Sequence, residues 1–127
     1  MARKNLRENG ILNIVVGLEN NILLFIMDNK IEELFKWSNP KQAQKMAYKY
    51  LGKSADLYVS ETKDKKYDIY DPVNDKWVSF GQLGYEDFTK HNDKERRKRY
   101  LDRATNIKGD WVSNPYSANN LSINILW

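Results

Sequence analysis

The sequence has no cysteine and a single histidine, His91, among 127 residues. The first absence removes disulfides, thiolate metal sites and cysteine nucleophiles together. The second removes metal sites built on paired imidazoles. Long apolar runs are missing too. The most hydrophobic stretch, Ile11 to Met27, is interrupted by Asn13, Gly17, Glu19, Asn20 and Asn21, whereas a membrane-crossing helix needs roughly 20 nearly uncharged residues. The charged start, "MARKNLRENG", has no targeting character. No linker, internal repeat or low-complexity tract divides the chain. These absences predict a soluble protein with no membrane span.

What is present fits one globular domain. A chain of 127 residues with 41% hydrophobic and 30% charged residues can bury a real core and is not of disordered composition. Four Trp and eight Tyr add large amphipathic side chains. The formal charge is +4. Six basic residues against Asp93, Glu95 and Asp102 between positions 92 and 104 supply most of it. Such a local excess suits an anionic partner without requiring one.

Three short β-runs, "DLYVSE" (56–61), "KYDIYD" (66–71) and "KWVSFG" (76–81), are separated by the turn formers "TKDK" and "PVND". They predict an antiparallel meander. Three strands alone are marginal, so helices must cover the sheet. "SNPKQAQKMAYKYLGK" reads as a helix, with Ser38 or Asn39 as cap, Pro40 in the first turn and Gly52 after the end. Its apolar stripe is Ala43, Met46, Ala47, Tyr50 and Leu51, expected to face the core. Residues 30–37 read as helix; residues 11–27 fit either two strands or a helix from about Asn20. A further helix, capped by Asn92 with Glu95 at capping-box spacing, runs to about Asn106. Ser117 caps a final short helix with Leu121, Ile125 and Leu126 inward. The expected fold class is α+β: a small three-stranded meander with helices before and after it. Residues 1–35 read as an apolar N-terminal interaction arm and 36–127 as a single α+β domain.

The densest charge lies in "YEDFTKHNDKERRKRYLDRA", residues 85–104. On a helical wheel Tyr100, Leu101 and Ala104 face inward, and Arg97 falls in the same sector. There it lays its stem along the core and meets a carboxylate or carbonyl. Arg96, Arg99 and Arg103 share one flank and Lys94 and Lys98 another. Glu95 and Asp102 stand between them, in reach of Arg99. Lys94, Arg96, Lys98, Arg99 and Arg103 are therefore the candidate contacts to nucleic acid or to a protein partner. The interleaved acids favour a solvated or protein-facing surface, because phosphate contacts depend on unopposed cations.

Catalytic patterns are weak. No nucleophile-elbow glycines accompany a serine that could pair with His91. "ETK", Glu61 to Lys63, has an acid-x-lysine spacing found in magnesium nucleases, with Asp56 or Asp28 as further carboxylates, but so short a match is expected by chance. "GQLG" (81–84) lacks the ending of a phosphate loop. Tyr67, Tyr70, Trp77 and Phe80 on adjacent strands could stack bases only if outward, and the alternation puts Tyr67 with Ile69 and Tyr70 with Asp68. No catalytic residue, metal or cofactor is assigned.

The pieces Lys65–Lys66–Tyr67, Asp71–Pro72, Trp77–Val78, Phe80–Gly81, Gly84 to Thr89, His91, Asp93, Arg97, Tyr100–Leu101 and the ending Ile125–Leu126–Trp127 recur in order. Over roughly the last 90 residues the chain so resembles an uncharacterised family of small basic proteins encoded by giant nucleocytoplasmic DNA viruses and related large viruses. The resemblance implies a viral setting and carries no catalytic residue. It marks Tyr67, Trp77, Phe80, Tyr85, His91, Arg97, Tyr100 and Trp127 as a structural signature. The functional expectation is a non-enzymatic virion structural protein, a minor capsid or capsid-associated component touching other virion proteins such as the major capsid protein. It would reside in the virion, and in host cytoplasm during assembly. The alternative is a non-enzymatic nucleic-acid-binding protein using helix 94–103.

Overall fold

A computed structural model describes residues 21–127, with side chains described from residue 29. The part of the N-terminal arm before residue 21 lies outside the described residues, as does the choice between strands and helix there. The first helix, α1, spans Asn21–Trp37. From Asn21 onward the ambiguous apolar stretch is thus continuous with the helix expected at 30–37. Ile31 and Leu34, which the sequence reading placed with the arm, belong to the hydrophobic core.

After a two-residue break comes α2, Pro40–Leu51. Asn39 is its cap, accepting the Gln42 N–H, with Pro40 opening the helix and Gly52 closing it at φ 101°. Ala43 and Ala47 are fully buried, and Met46, Tyr50 and Leu51 pack partly against the core. Gln44 shares the buried face because both ends of its amide are used. It donates to the Ala55 carbonyl (2.9 Å) and accepts the Leu57 N–H (2.8 Å), tying α2 to the edge of the sheet.

The meander consists of β1 (Leu57–Val59), β2 (Lys65–Asp71) and β3 (Lys76–Gln82), antiparallel in the order β1-β2-β3. Leu57 pairs with Ile69, Tyr67 with Phe80 and Ile69 with Val78. Leu57, Val59, Tyr67, Ile69 and Phe80 therefore share one face, and all are core residues. The opposite face carries Tyr58, Asp68, Tyr70, Trp77 and Ser79. The β2–β3 turn is organised by Asp71, whose carboxylate accepts the N–H groups of Val73 and Asn74 and the Asn74 amide.

Two short helices follow, α3 (Phe88–His91) and α4 (Lys94–Ala104). The first is missed by pattern reading because one turn carries no periodicity. Its presence moves the expected cap of α4. Asn92 takes the left-handed conformation (φ 54°) that ends α3, so Asp93, not Asn92, caps α4. Glu95 becomes its second residue, the capping box does not form, and α4 stops at Ala104, short of Asn106. A 3₁₀ turn, Asp110–Ser113, leads to α5, Ala118–Leu121, capped by Ser117 and extended by a π-type turn, Ser122–Leu126. Leu121, Ile125 and Leu126 are buried, and this segment packs mainly against α2.

Candidate functional site

Two charged side chains sit in the interior as a pair. Lys66 on β2 and Asp87 before α3 meet at 2.9 Å, with side chains only 3% and 1% exposed. Charges this deep are tolerable only when every proton and lone pair is used. The Lys66 ammonium has three protons and three acceptors: Asp87 Oδ2, the Tyr85 carbonyl (2.6 Å) and the Trp37 carbonyl (3.2 Å). Asp87 Oδ1 accepts the Thr89 hydroxyl. Thr89 Oγ1 in turn receives the Asn39 N–H (2.9 Å) and lies 3.2 Å from Ser38 Oγ, which accepts the Tyr67 hydroxyl at 2.6 Å. With one proton per hydroxyl the order is fixed: Tyr67 gives to Ser38, Ser38 to Thr89, and Thr89 to Asp87.

This chain links the α1–α2 break (Trp37, Ser38, Asn39), the central strand (Lys66, Tyr67) and the segment entering α3 (Tyr85, Asp87, Thr89). The Asp87 N–H also donates to the Trp37 carbonyl. Burial lowers the Lys66 pKa from its ordinary value, against the opposing pull of Asp87. Burial likewise raises the Tyr67 phenol well above its usual range, so it stays a donor. All the donors and acceptors are satisfied within the fold, and the arrangement acts as a clamp.

A second cluster gathers around the C-terminus. The rings of Tyr100 and Trp127 stack at 4.1 Å and 7°. His91 packs against Trp127 at 5.2 Å and against Phe88 at 6.0 Å. The Arg97 guanidinium lies over Phe88 and donates from Nε to the Trp127 oxygen at 2.6 Å. Arg97 thus finds an oxygen partner, but it is exposed rather than turned into the apolar sector as the helical wheel expects. His91, Arg97, Tyr100 and Trp127, marked separately in the sequence, form this one assembly. Tyr67 and Phe80 belong to the core, while Trp77 and Tyr85 have exposed side chains (41% and 70%). Tyr85 contributes only its carbonyl, to Lys66.

The expected contact residues lie on α4, and the structure divides them. Arg96 pairs with Glu86 at 3.2 Å, and Arg99 approaches Glu95 at 4.0 Å. Lys94, Lys98 and Arg103 are exposed. Residues 90–112 hold eight Lys and Arg against four Asp and Glu, so this region carries the whole +4 of the chain. The next turn is pinned outward. Asn120 donates to the carbonyls of Trp111 (2.9 Å), Val112 (3.1 Å) and Asn114 (2.9 Å), and Val112 stays 67% exposed.

Other expectations resolve differently. Tyr70 and Trp77 stand outside with Tyr58, as edge-on ring pairs at 5.2 and 5.6 Å, whereas Tyr67 and Phe80 are interior. The four rings therefore do not form one stacking platform. Asp56 accepts the Tyr48 hydroxyl (3.0 Å). Glu61 lies in the β1–β2 turn, where its N–H donates to Asp68, and Asp28 has no described side chain. Among the described residues no group of three His, Asp or Glu is placed to hold a metal ion. No described helix is long and apolar enough to cross a membrane.

Lys66, Asp87, Ser38 and Thr89 were absent from the residues singled out as a signature. Lys66, Asp87 and Thr89 stood only within the longer recurring pieces at 65–67 and 84–89, and Ser38 only as a candidate helix cap.

Residues 55–104 match the model of a family of unknown function (DUF5754). No curated protein and no solved structure matches the chain. The matched block begins just before β1 and ends with α4. It contains both charges of the buried pair, together with His91, Arg97 and Tyr100, while Ser38 and Trp127 lie beyond it. An uncharacterised domain in this block agrees with the likeness read from the sequence.

Proposed function

We propose that the protein is a non-enzymatic structural component of a virus particle, a minor capsid or capsid-associated protein that binds other virion proteins. One observation carries the non-enzymatic part. The best-organised polar residues, Lys66, Tyr67 and Asp87, are saturated by internal hydrogen bonds and hold three parts of the fold together. Residues able to act on a substrate would need an open valence facing a cleft. The viral part is supported by the resemblance of the C-terminal two-thirds to proteins of giant DNA viruses. The partner surface in this reading is the outer side of α4 with the pinned turn at Val112. Exposed cations beside an ordered aliphatic side chain suit an acidic protein surface with apolar anchors.

Mass spectrometry of purified particles tests the proposal. Stoichiometric recovery with the shell proteins is expected; recovery only as a free protein from infected cells would defeat it.

Nucleic-acid binding through Lys94, Lys98 and Arg103 is the second reading, favoured by their exposure and by the concentration of net charge between residues 90 and 112. It predicts binding to DNA or RNA that falls steeply with salt and weakens when these three become Ala. Absence of binding at low salt removes it.

A further inference from the structure

The only histidine occupies a position whose hydrogen-bond polarity permits one protonation state. His91 Nδ1 accepts the main-chain N–H of Asp93 at 2.8 Å. A nitrogen that accepts carries no proton, so the ring is neutral with its proton on Nε2. That nitrogen is buried and has no hydrogen-bond partner among the described residues. The ring edge is instead enclosed by Phe88 and Trp127. Adding a second proton would set Nδ1–H against the Asp93 N–H and place a full charge beside the aromatic rings.

We propose that His91 is an acid-sensitive latch, closed when neutral, that holds the α3–α4 elbow and the C-terminal Trp127 together. The elbow has a hinge, because Asn92 sits in the left-handed region at φ 54° between the two helices. It also has a load. Asp93, whose N–H the imidazole holds, caps α4 by accepting the N–H groups of Glu95 (2.9 Å) and Arg96 (3.2 Å). Trp127 follows directly on the buried Ile125 and Leu126. Protonation withdraws the Nδ1 acceptor, and the ring must turn away from Asp93 N–H or the 92–93 peptide must shift. Turning the ring breaks its contact with Trp127, and this is the movement the latch requires.

The charges facing His91 come from three sides. Glu86 and Asp87 lie before α3, Asp93 lies in the elbow, and Arg96 and Arg97 lie on α4. Burial and then Arg96 hold the imidazole below its usual value, against Glu86, Asp93 and Asp87. Glu86 is itself paired with Arg96, which blunts both. A group whose folded pKa is depressed stabilises the fold above its unfolded value of about 6.5, and that stability is lost as pH falls through the folded value.

The test is an NMR titration of the intact chain between neutral pH and mild acid. It follows the His91 Cε1 proton, the Trp127 indole and the Ile125 and Leu126 methyl groups. The latch predicts a His91 midpoint below the unfolded value, with the Trp127 and methyl signals moving at the same midpoint. The His91→Gln variant keeps a side-chain acceptor for the Asp93 N–H and should lose that step. A His91 midpoint at or above the unfolded value overturns the proposal. So does a titration that leaves Trp127 unmoved, or an unchanged step in the variant. Should the variant not fold, co-titration in the parent protein decides alone.

Discussion

Lys66 and Asp87 show how much one residue pair can organise. A lone ammonium or carboxylate in this interior would be untenable, and the pair persists because the ammonium finds three acceptors and the carboxylate two donors. Removing one member of such a pair leaves the other charged, buried and unmatched, a cost of about 3–5 kcal/mol. Lys66→Met and Asp87→Leu are each expected to lower unfolding free energy by that amount in urea titrations. Gly81 is a second sensitive position, with φ 80° and a space in which a Cβ would stand 2.9 Å from Leu126 and 3.1 Å from Lys66. Gly81→Ala combines backbone strain with a clash and should cost about 1–3 kcal/mol, read as a lower urea midpoint with an unchanged slope. Both positions stand among the recurring sequence pieces, but neither effect could be assigned, because what a strand lysine or a strand-end glycine does depends on neighbours that only the fold reveals.

At the scale of elements, the sequence was informative wherever a pattern repeated. The meander, α2 with its cap and closing glycine, and the buried positions of the last helix all followed from alternation, spacing and turn residues. Competition between neighbours decided what did not follow. Asn92 and Asp93 are both good caps, but Asn92 is needed in the left-handed turn that ends α3, so the cap passes to Asp93. Asp93→Ala should therefore destabilise by about 1 kcal/mol through loss of the cap, while Asn92→Gly should change stability by only a few tenths. Thermal unfolding of Asp93→Ala distinguishes the observed arrangement from an Asn92 cap, because Asp93 carries the cap hydrogen bonds only in the former. The wheel of α4 placed Ala104 on its inner side, where it is buried, but Arg97, placed on the same side, is exposed and reaches an oxygen of Trp127. Alanine at Lys94, Lys98 and Arg103 should leave stability within about 0.5 kcal/mol of the parent while altering any partner binding, since exposed cations contribute little to folding.

For the whole molecule, the candidate site was legible as a region but not as an arrangement. The signature stretch at 85–104 and the strand at 65–67 could be picked out as special. That they are two ends of one buried hydrogen-bond chain, closed through Ser38 at the α1–α2 break, depends on tertiary contacts that no local spacing encodes. The domain's three segments, α1–α2, the sheet and α3–α4, meet at that polar junction. An account in which the motif residues serve the fold, leaving α4 and the turn after it to meet a partner, stands or falls on whether the junction is structural.

The most direct measurement is a double-mutant cycle on Lys66→Met and Asp87→Leu, followed by urea unfolding of the parent, both single variants and the double variant. The account predicts large single losses and a double variant at least as stable as either single, which is strong favourable coupling. Single losses below about 1 kcal/mol that simply add in the double variant would contradict it.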